Sequence, residues 1–319
     1  MGVIAVAGLS LCLGAAALTP VELARGLAGV IRGTPDTAGL ILLHVRLPRL
    51  AAAVLAGTGL ALSGAIIQTL LMNPLASPGI LGVNAGAAFA VALCSAIAPH
   101  AVYLPQSAAF AGAMLTMLVV SALASKAGVS RMTLILVGVA LSSLFTAGVR
   151  VVTLLVPDAL RGVNAFEIGG LAGVSLKMVS AAAPIIIGST FIIIMLAKPL
   201  DVMSLGGEAA AELGMRVGIW RMLFLALAAA LAGSAVSIAG LLGFVGLVVP
   251  HIARMLARGS RRRMLILSAQ IGAGLLTLCD TAARTLFAPY ELPVGIIVAF
   301  LGVPFFLWIL FTKARRADD

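Results

Sequence analysis

Apolar stretches long enough to cross a bilayer follow one another down almost the whole chain, separated only by short polar breaks. A stretch of roughly 20 uncharged residues must satisfy its backbone hydrogen bonds internally once it lies in hydrocarbon, which leaves a helix or a closed barrel. These runs are long and do not alternate, so they are read as helices. The sequence predicts spans at about 2–18, 50–72, 80–98, 107–125, 133–156, 178–197, 219–240, 242–257, 264–287 and 294–312, an all-α polytopic membrane protein of about ten transmembrane helices. Only 10% of the 319 residues are charged and 62% are apolar, where an ordinary soluble domain has about 25% and about 45–50%. Soluble, disordered and disulfide-framework folds are therefore excluded together. The eighth span is short, carries Pro250 and His251, and follows a break at Gly240, Gly243 and Gly246, the pattern of a half-helix.

With ten spans both termini share one side of the membrane, and Lys313, Arg315 and Arg316 after the last span place that side in the cytoplasm. With these three counted, the basic residues sort as 13 Lys and Arg inside and 7 outside, with Arg150 left unassigned near a helix end. The net charge of +10 thus reads as topology rather than as a nucleic-acid surface. The first span resembles a signal-peptide core ending in Gly14-Ala15-Ala16-Ala17, yet no basic segment precedes it, and it is read as a retained helix. No linker, biased tract or repeat divides residues 1–319, which are expected to form one domain.

Chemistry-bearing constellations are sparse. Cys12, Cys94 and Cys279 lie singly in apolar runs, and His44, His100 and His251 share no ligand spacing, so no protein-built metal site is expected. No phosphate-binding G-x-x-x-x-G-K-[ST] loop and no catalytic motif is present, so ATP hydrolysis would have to come from another subunit.

Three stretches are unusual for a chain this apolar. Between Gln68 and Gly86, Asn73-Pro74 and Pro78-Gly79 stop one helix, and Gly82-x-x-x-Gly86 opens the next with a flat face. This stretch is either a turn with a packing groove or a cytoplasmic mouth closed by Asn73 and Leu75. The segment at about 202–216 is polar, with Gly206, Gly207, Glu208, Glu212, Leu213 and Gly214. Glu208 and Glu212 stand one turn apart around three alanines, forming a short surface helix that is either merely solvated or a docking element for a partner. Arg46-Leu-Pro-Arg49 precedes the second span on the outer side, where Asp280 and Arg284 form an i,i+4 pair near the outer end of the ninth. These charges either neutralise one another or present guanidinium groups to carboxylates of a partner.

Taken in order, these motifs resemble the FecCD-type permeases, the membrane subunits of type II ABC importers for iron-siderophores, haem and cobalamin. The resemblance rests on Arg46-Leu-Pro-Arg49, Gly64 and Gln68, the run from Asn73 through Gly79 to Gly86, Leu205-Gly206 to Leu213-Gly214, Gly243 through Pro250-His251 to Arg254, Asp280-x-x-x-Arg284, and Glu291-Leu-Pro293 through Pro304-Phe305-Phe306. It implies a homodimer or paired heterodimer of permease subunits, two cytoplasmic ATPase subunits that carry the ATP and magnesium, no cofactor in this chain, and an extracytoplasmic substrate-binding protein. The setting it implies is a bacterial-type inner membrane with ferric siderophore as cargo, or haem or cobalamin. Position by position, it implies docking of the binding protein at Arg46, Arg49 and Arg284, ATPase coupling at Gly206 to Gly214, and gating at Asn73, Leu75 and the Val129-Ser130 region. It places Phe166 on the pathway, where relatives often have tryptophan. Phe166, Gly169-Gly170, Gly207 and Gly259-Ser-Arg-Arg-Arg263 depart from the family pattern. An ion-coupled secondary transporter is the competing class, but such proteins place acidic groups in the membrane, and only Asp280 and Glu167 are candidates here.

Overall fold

The computed structural model describes residues 2–14, 19–126 and 131–318. Its helices are α1 (Gly2–Cys12), α2 (Pro20–Ile31), α3 (Thr37–Ile41), α4 (Leu47–Leu70), α5 (Val83–Ile97), α6 (Leu104–Lys126), α7 (Arg131–Leu155), α8 (Ala159–Ile168), α9 (Leu176–Met195), α10 (Ala197–Met203), α11 (Gly207–Glu212), α12 (Val217–Ala239), α13 (Val245–Leu256), α14 (Arg261–Thr285) and α15 (Val294–Asp318). Among the described residues, six helices are long and apolar enough to cross a bilayer: the rod Thr37–Leu70, α6, α7, α9, α12 and α14. Shorter apolar helices are α1, α5, α13 and the Val294–Trp308 part of α15. These ten coincide with the ten predicted spans. The first is helical only as far as Cys12.

The elements not anticipated are short and polar at their ends. Helix α2 starts on a capping box, with the Glu22 amide donating to the Thr19 hydroxyl and the Thr19 amide donating to the Glu22 carboxylate at 2.7 Å. Asp36 caps α3 by accepting from the Gly39 amide at 2.8 Å. A single π-helical turn, Leu42–Arg46, then joins α3 to α4, so the two run as one rod. Helix α8 and helix α10 complete the set.

Helices α4 and α12 form the centre, with 72% of each span buried, against 17% for α7 at the periphery. Helix α4 packs on α14, α12, α13 and α9, while α5 packs on α6, α7 and α8. Without a hydrophobic drive between helices in lipid, backbones must come close for dispersion and weak polar contacts to hold them. Helix α4 is built for this, with Ala52, Ala53, Ala56, Gly57, Gly59, Ala61, Gly64 and Ala65 all buried. A methyl group on Gly57 would strike the backbone of Gly272 in α14, and one on Gly64 would strike the Gly246 carbonyl in α13. The expected flat face at Gly86 is likewise used, against Gly112 and Thr116 of α6.

The predicted half-helix is α13, 12 residues long and about 18 Å by its rise. The break before it is a real change of direction: Gly240 has φ of 67° and Phe244 has φ of 61°. Helix α8 docks on this break through its backbone, with the Leu241 amide donating to the Phe166 carbonyl at 2.8 Å and the Gly170 amide donating to the Ala239 carbonyl at 2.8 Å.

Candidate functional site

Two polar sites lie at opposite ends of α4, with Arg49 and Gln68 separated by about 30 Å at helical rise. At the first end, Asp280 of α14 receives one guanidinium on each oxygen: Arg49 Nε to Oδ1 at 2.8 Å and Arg284 Nε to Oδ2 at 3.1 Å. Arg49 also reaches Glu291, Nη1 to Oε2 at 2.7 Å. The two carboxylates differ in burial, 1% exposed for Asp280 and 39% for Glu291, so Asp280 carries the cluster.

The far side of the cluster is covered by the end of α1. Arg284 Nη2 donates to the Ser10 hydroxyl at 2.9 Å and to the Ser10 carbonyl at 3.3 Å, Arg284 Nη1 donates to the Leu13 carbonyl at 3.4 Å, and Arg46 donates to the Leu11 carbonyl. A helix C-terminus leaves carbonyls without intrahelical partners and carries partial negative charge, which suits cationic donors. The sequence predicts outward-facing guanidinium groups at Arg46, Arg49 and Arg284. The structure brings the three together as expected but corrects their exposure to 4%, 6% and 6%. The carbonyls of Ser10, Leu11 and Leu13 carry no local sequence signal for this role.

At the other end, Pro250 lacks an amide hydrogen and so leaves the Gly246 carbonyl, four residues earlier in α13, without its helical donor. Gln68 supplies the donor: its Nε2 reaches the Leu247 carbonyl at 3.1 Å and the Gly246 carbonyl at 3.4 Å, while its Oε1 accepts from Arg254 Nη2 at 3.1 Å. Gln68→Leu is expected to leave the Gly246 carbonyl without a donor and to destabilise the protein by about 1–3 kcal/mol, read as a lowered thermal midpoint in detergent. Arg261 adds a second tie, pairing with Asp201 of α10 at 3.1 Å and donating to the Thr69 hydroxyl at 3.4 Å. Nothing in the sequence links Asp201, Arg261 and Thr69, because they stand on three separate elements.

Helix α4 ends in a Schellman turn, with Met72 at φ of 48°, its amide donating to the Thr69 carbonyl, and the Asn73 amide donating to the Gln68 carbonyl. The Asn73 side chain accepts from the Leu75 amide at 2.9 Å, so it shapes its own turn. Both Asn73 and Leu75 are half-buried. Ser130 lies outside the described residues. Phe166 sits on α8 and lines a cavity of about 190 Å³ with Gln106, Met178 and Ser237.

The polar segment expected at 202–216 is two helices, α10 and α11, separated by a turn at Ser204–Gly206. Helix α10 begins before Pro199 because a proline in the first helical turn forfeits no helical hydrogen bond. Gly206 at φ of 108° and Gly214 at φ of 79° bracket α11, backbone conformations that side chains rarely adopt. Ala210 anchors α11 with no exposure, while Leu205 and Leu213 are 59% and 66% exposed. Glu208 and Glu212 are exposed and make no ion pair with another described residue. Gly207 is half-buried behind them.

The FecCD transport family model matches residues 2–312 of this chain. The chain belongs to the FecCD transport family. The Fe(3+)-citrate import system permease protein YfmE of Bacillus subtilis is 36% identical over 309 residues, covering 97% of this chain and 92% of that protein. The hemin transport system permease protein HmuU of Yersinia pestis is 37% identical over 290 residues, covering 89% and 86%. The cobalamin import system permease protein BtuC of Halobacterium salinarum is 37% identical over 286 residues, covering 89% and 77%. Among solved structures, an inward-facing metal-chelate type ABC transporter superposes with a TM-score of 0.86 at 28% identity, covering 98% of this chain and 96% of that one. The all-α multi-pass architecture of this FecCD member is thus that of an ABC importer permease.

Proposed function

We propose that this chain is the permease subunit of an ATP-driven importer that takes a ferric siderophore or related chelate from an extracytoplasmic binding protein into the cytoplasm. The observation that carries this is family membership over nearly the full length, together with two polar sites at opposite ends of one buried helix. Haem and cobalamin are cargoes of the same class, since relatives named for each are equally similar. The chain works as one permease domain in the inner membrane with both termini in the cytoplasm, paired with a second copy or a close paralogue. Two ATPase subunits hold the ATP and magnesium, and this chain holds neither cofactor nor metal.

In this reading α10 and α11 seat on the ATPases through Leu205, Glu208, Glu212 and Leu213. Movement of α10 passes to α4 and α14 through Asp201, Arg261 and Thr69, and so toward Asn73 and Leu75 at the cytoplasmic mouth. At the outer end, carboxylates of the binding protein take the place of the α1 carbonyls on Arg46 and Arg284, with Arg49 held in place by Asp280. Covered arginines support such an exchange, because a charged acceptor binds a guanidinium more strongly than a peptide carbonyl does.

The test is ATPase activity of the chain co-expressed with its ATPase and binding protein in nanodiscs, with and without ferric siderophore. Stimulation requiring all components is expected, lost on Arg46→Glu. Glu208→Ala with Glu212→Ala is expected to reduce co-purification of the ATPase. Transport by the chain alone under an ion gradient, with no ATPase association, overturns the proposal.

A further inference from the structure

Helix α7 is the least covered of the long apolar helices, and its open arc has two unlike flanks. At 100° per residue, Ala140, Leu144 and Val151 lie on one flank, all exposed and apolar, with Ala147 at its border. On the other, Ser143, Thr146 and Arg150 follow one another at helical spacing, with Ser142 at the edge. All but Ser142 are exposed. The hydroxyls of Ser142 and Ser143 bond back to the Gly138 and Val139 carbonyls at 2.8 and 3.1 Å. Arg150 therefore supplies the free donors. Its guanidinium makes no hydrogen bond or ion pair with another described residue, although it lies five residues short of the end of α7, about 7.5 Å inside.

An arginine at that depth is costly against hydrocarbon and is expected to face a cavity rather than acyl chains. One is present. Gly79 and Ile80, in the turn that follows α4, form one wall of an open groove of about 680 Å³, and Ser142, Ser143, Thr146 and Arg150 line the other together with Val139 and Ala147. The groove thus connects the Arg150 guanidinium to the segment beside Asn73 and Leu75.

We propose that this groove is a waypoint on the transport path and that Arg150 makes it selective for anionic metal chelates, receiving their carboxylate or other charged oxygens. The proposal rests on the importer reading and narrows its cargo to a charge class. The experiment uses the full complex in membranes, with Thr146→Cys as a reporter and the wild-type chain as control for Cys12. Two membrane-impermeant thiol reagents are compared, anionic sulfonatoethyl methanethiosulfonate and its cationic trimethylammonioethyl counterpart. The anionic reagent is expected to be favoured about tenfold, with the preference kept in Arg150→Lys and inverted in Arg150→Glu. In the same preparation, uptake of radiolabelled ferric dicitrate is expected to fall about tenfold in Arg150→Glu and to persist in Arg150→Lys. Failure of both reagents to reach Thr146→Cys would show a flank facing lipid, with Arg150 drawn to a headgroup, and would overturn the proposal. So would equal reactivity of the two reagents, or uptake of an uncharged ferric trihydroxamate alone. Absence of binding-protein-stimulated ATPase in the wild type sinks the importer reading instead, and leaves the labelling result standing.

Discussion

Asp280→Asn should lower the stability of this protein by about 3–5 kcal/mol, because it removes the buried charge shared by two guanidinium groups and leaves Arg49 with the half-exposed Glu291 and Arg284 with neutral acceptors only. Asp280 is 1% exposed and meets Arg49 and Arg284 at 2.8 and 3.1 Å, so neither cation has water to turn to when the charge is removed. Glu291→Gln is the internal comparison. Glu291 holds the same Arg49 at 2.7 Å but is 39% exposed, and an ion pair open to solvent contributes only about 0–1 kcal/mol. A triple change, Asp280→Leu with Arg49→Met and Arg284→Met, should recover much of the loss, since apolar replacement of a whole buried ionic cluster is often close to neutral. Thermal unfolding of the purified chain in detergent checks all three. Equal midpoints for Asp280→Asn and Glu291→Gln would mean that the cluster is solvated in the membrane and does not hold α4 to α14.

Gly64→Val is the second change with a large expected effect. Any side-chain carbon at Gly64 meets the backbone of Gly246, which cannot rotate out of the way as a side chain can. The two helices must separate, and overpacking of this kind costs at least about 1–3 kcal/mol. The separation also pulls Gln68 away from the Gly246 and Leu247 carbonyls, which adds to the loss. Gly188→Ala in α9 is the control, because a methyl group there meets nothing within 4 Å. It should be neutral or slightly stabilising, as alanine gives up less chain entropy than glycine in a helix. Thermal midpoint and the monodisperse fraction on size exclusion separate the two outcomes.

Most of the helical framework was legible because membrane helices announce themselves locally. The runs at 133–156 and 178–197 reappear as α7 and α9, and the suspicion that Pro250 and the glycines before it mark a half-helix matches α13. Helices α3 and α8 escaped, since they are short and lack the apolar length that makes a span visible. The Thr19 to Glu22 capping box is a local start signal for α2, a helix too short to show as a span. At 202–216 the polarity marked a surface element correctly. The division into α10 and α11 depended on Gly206 taking a positive φ, which composition does not reveal.

By itself the sequence determined the all-α membrane architecture, the ten apolar helices and the family, because bilayer thickness and backbone hydrogen bonding act on each segment separately. It also singled out the charged residues that cluster at one end of α4, Arg46, Arg49, Asp280 and Arg284. Only the tertiary structure decided that Asp280 joins two arginines, that the end of α1 covers them, that Gln68 repairs the gap left by Pro250, and that Arg150 opens into a groove. Each of these pairs groups far apart in the chain, and their geometry is set by how closely small residues let the helices approach, a property of the packed bundle rather than of any one segment.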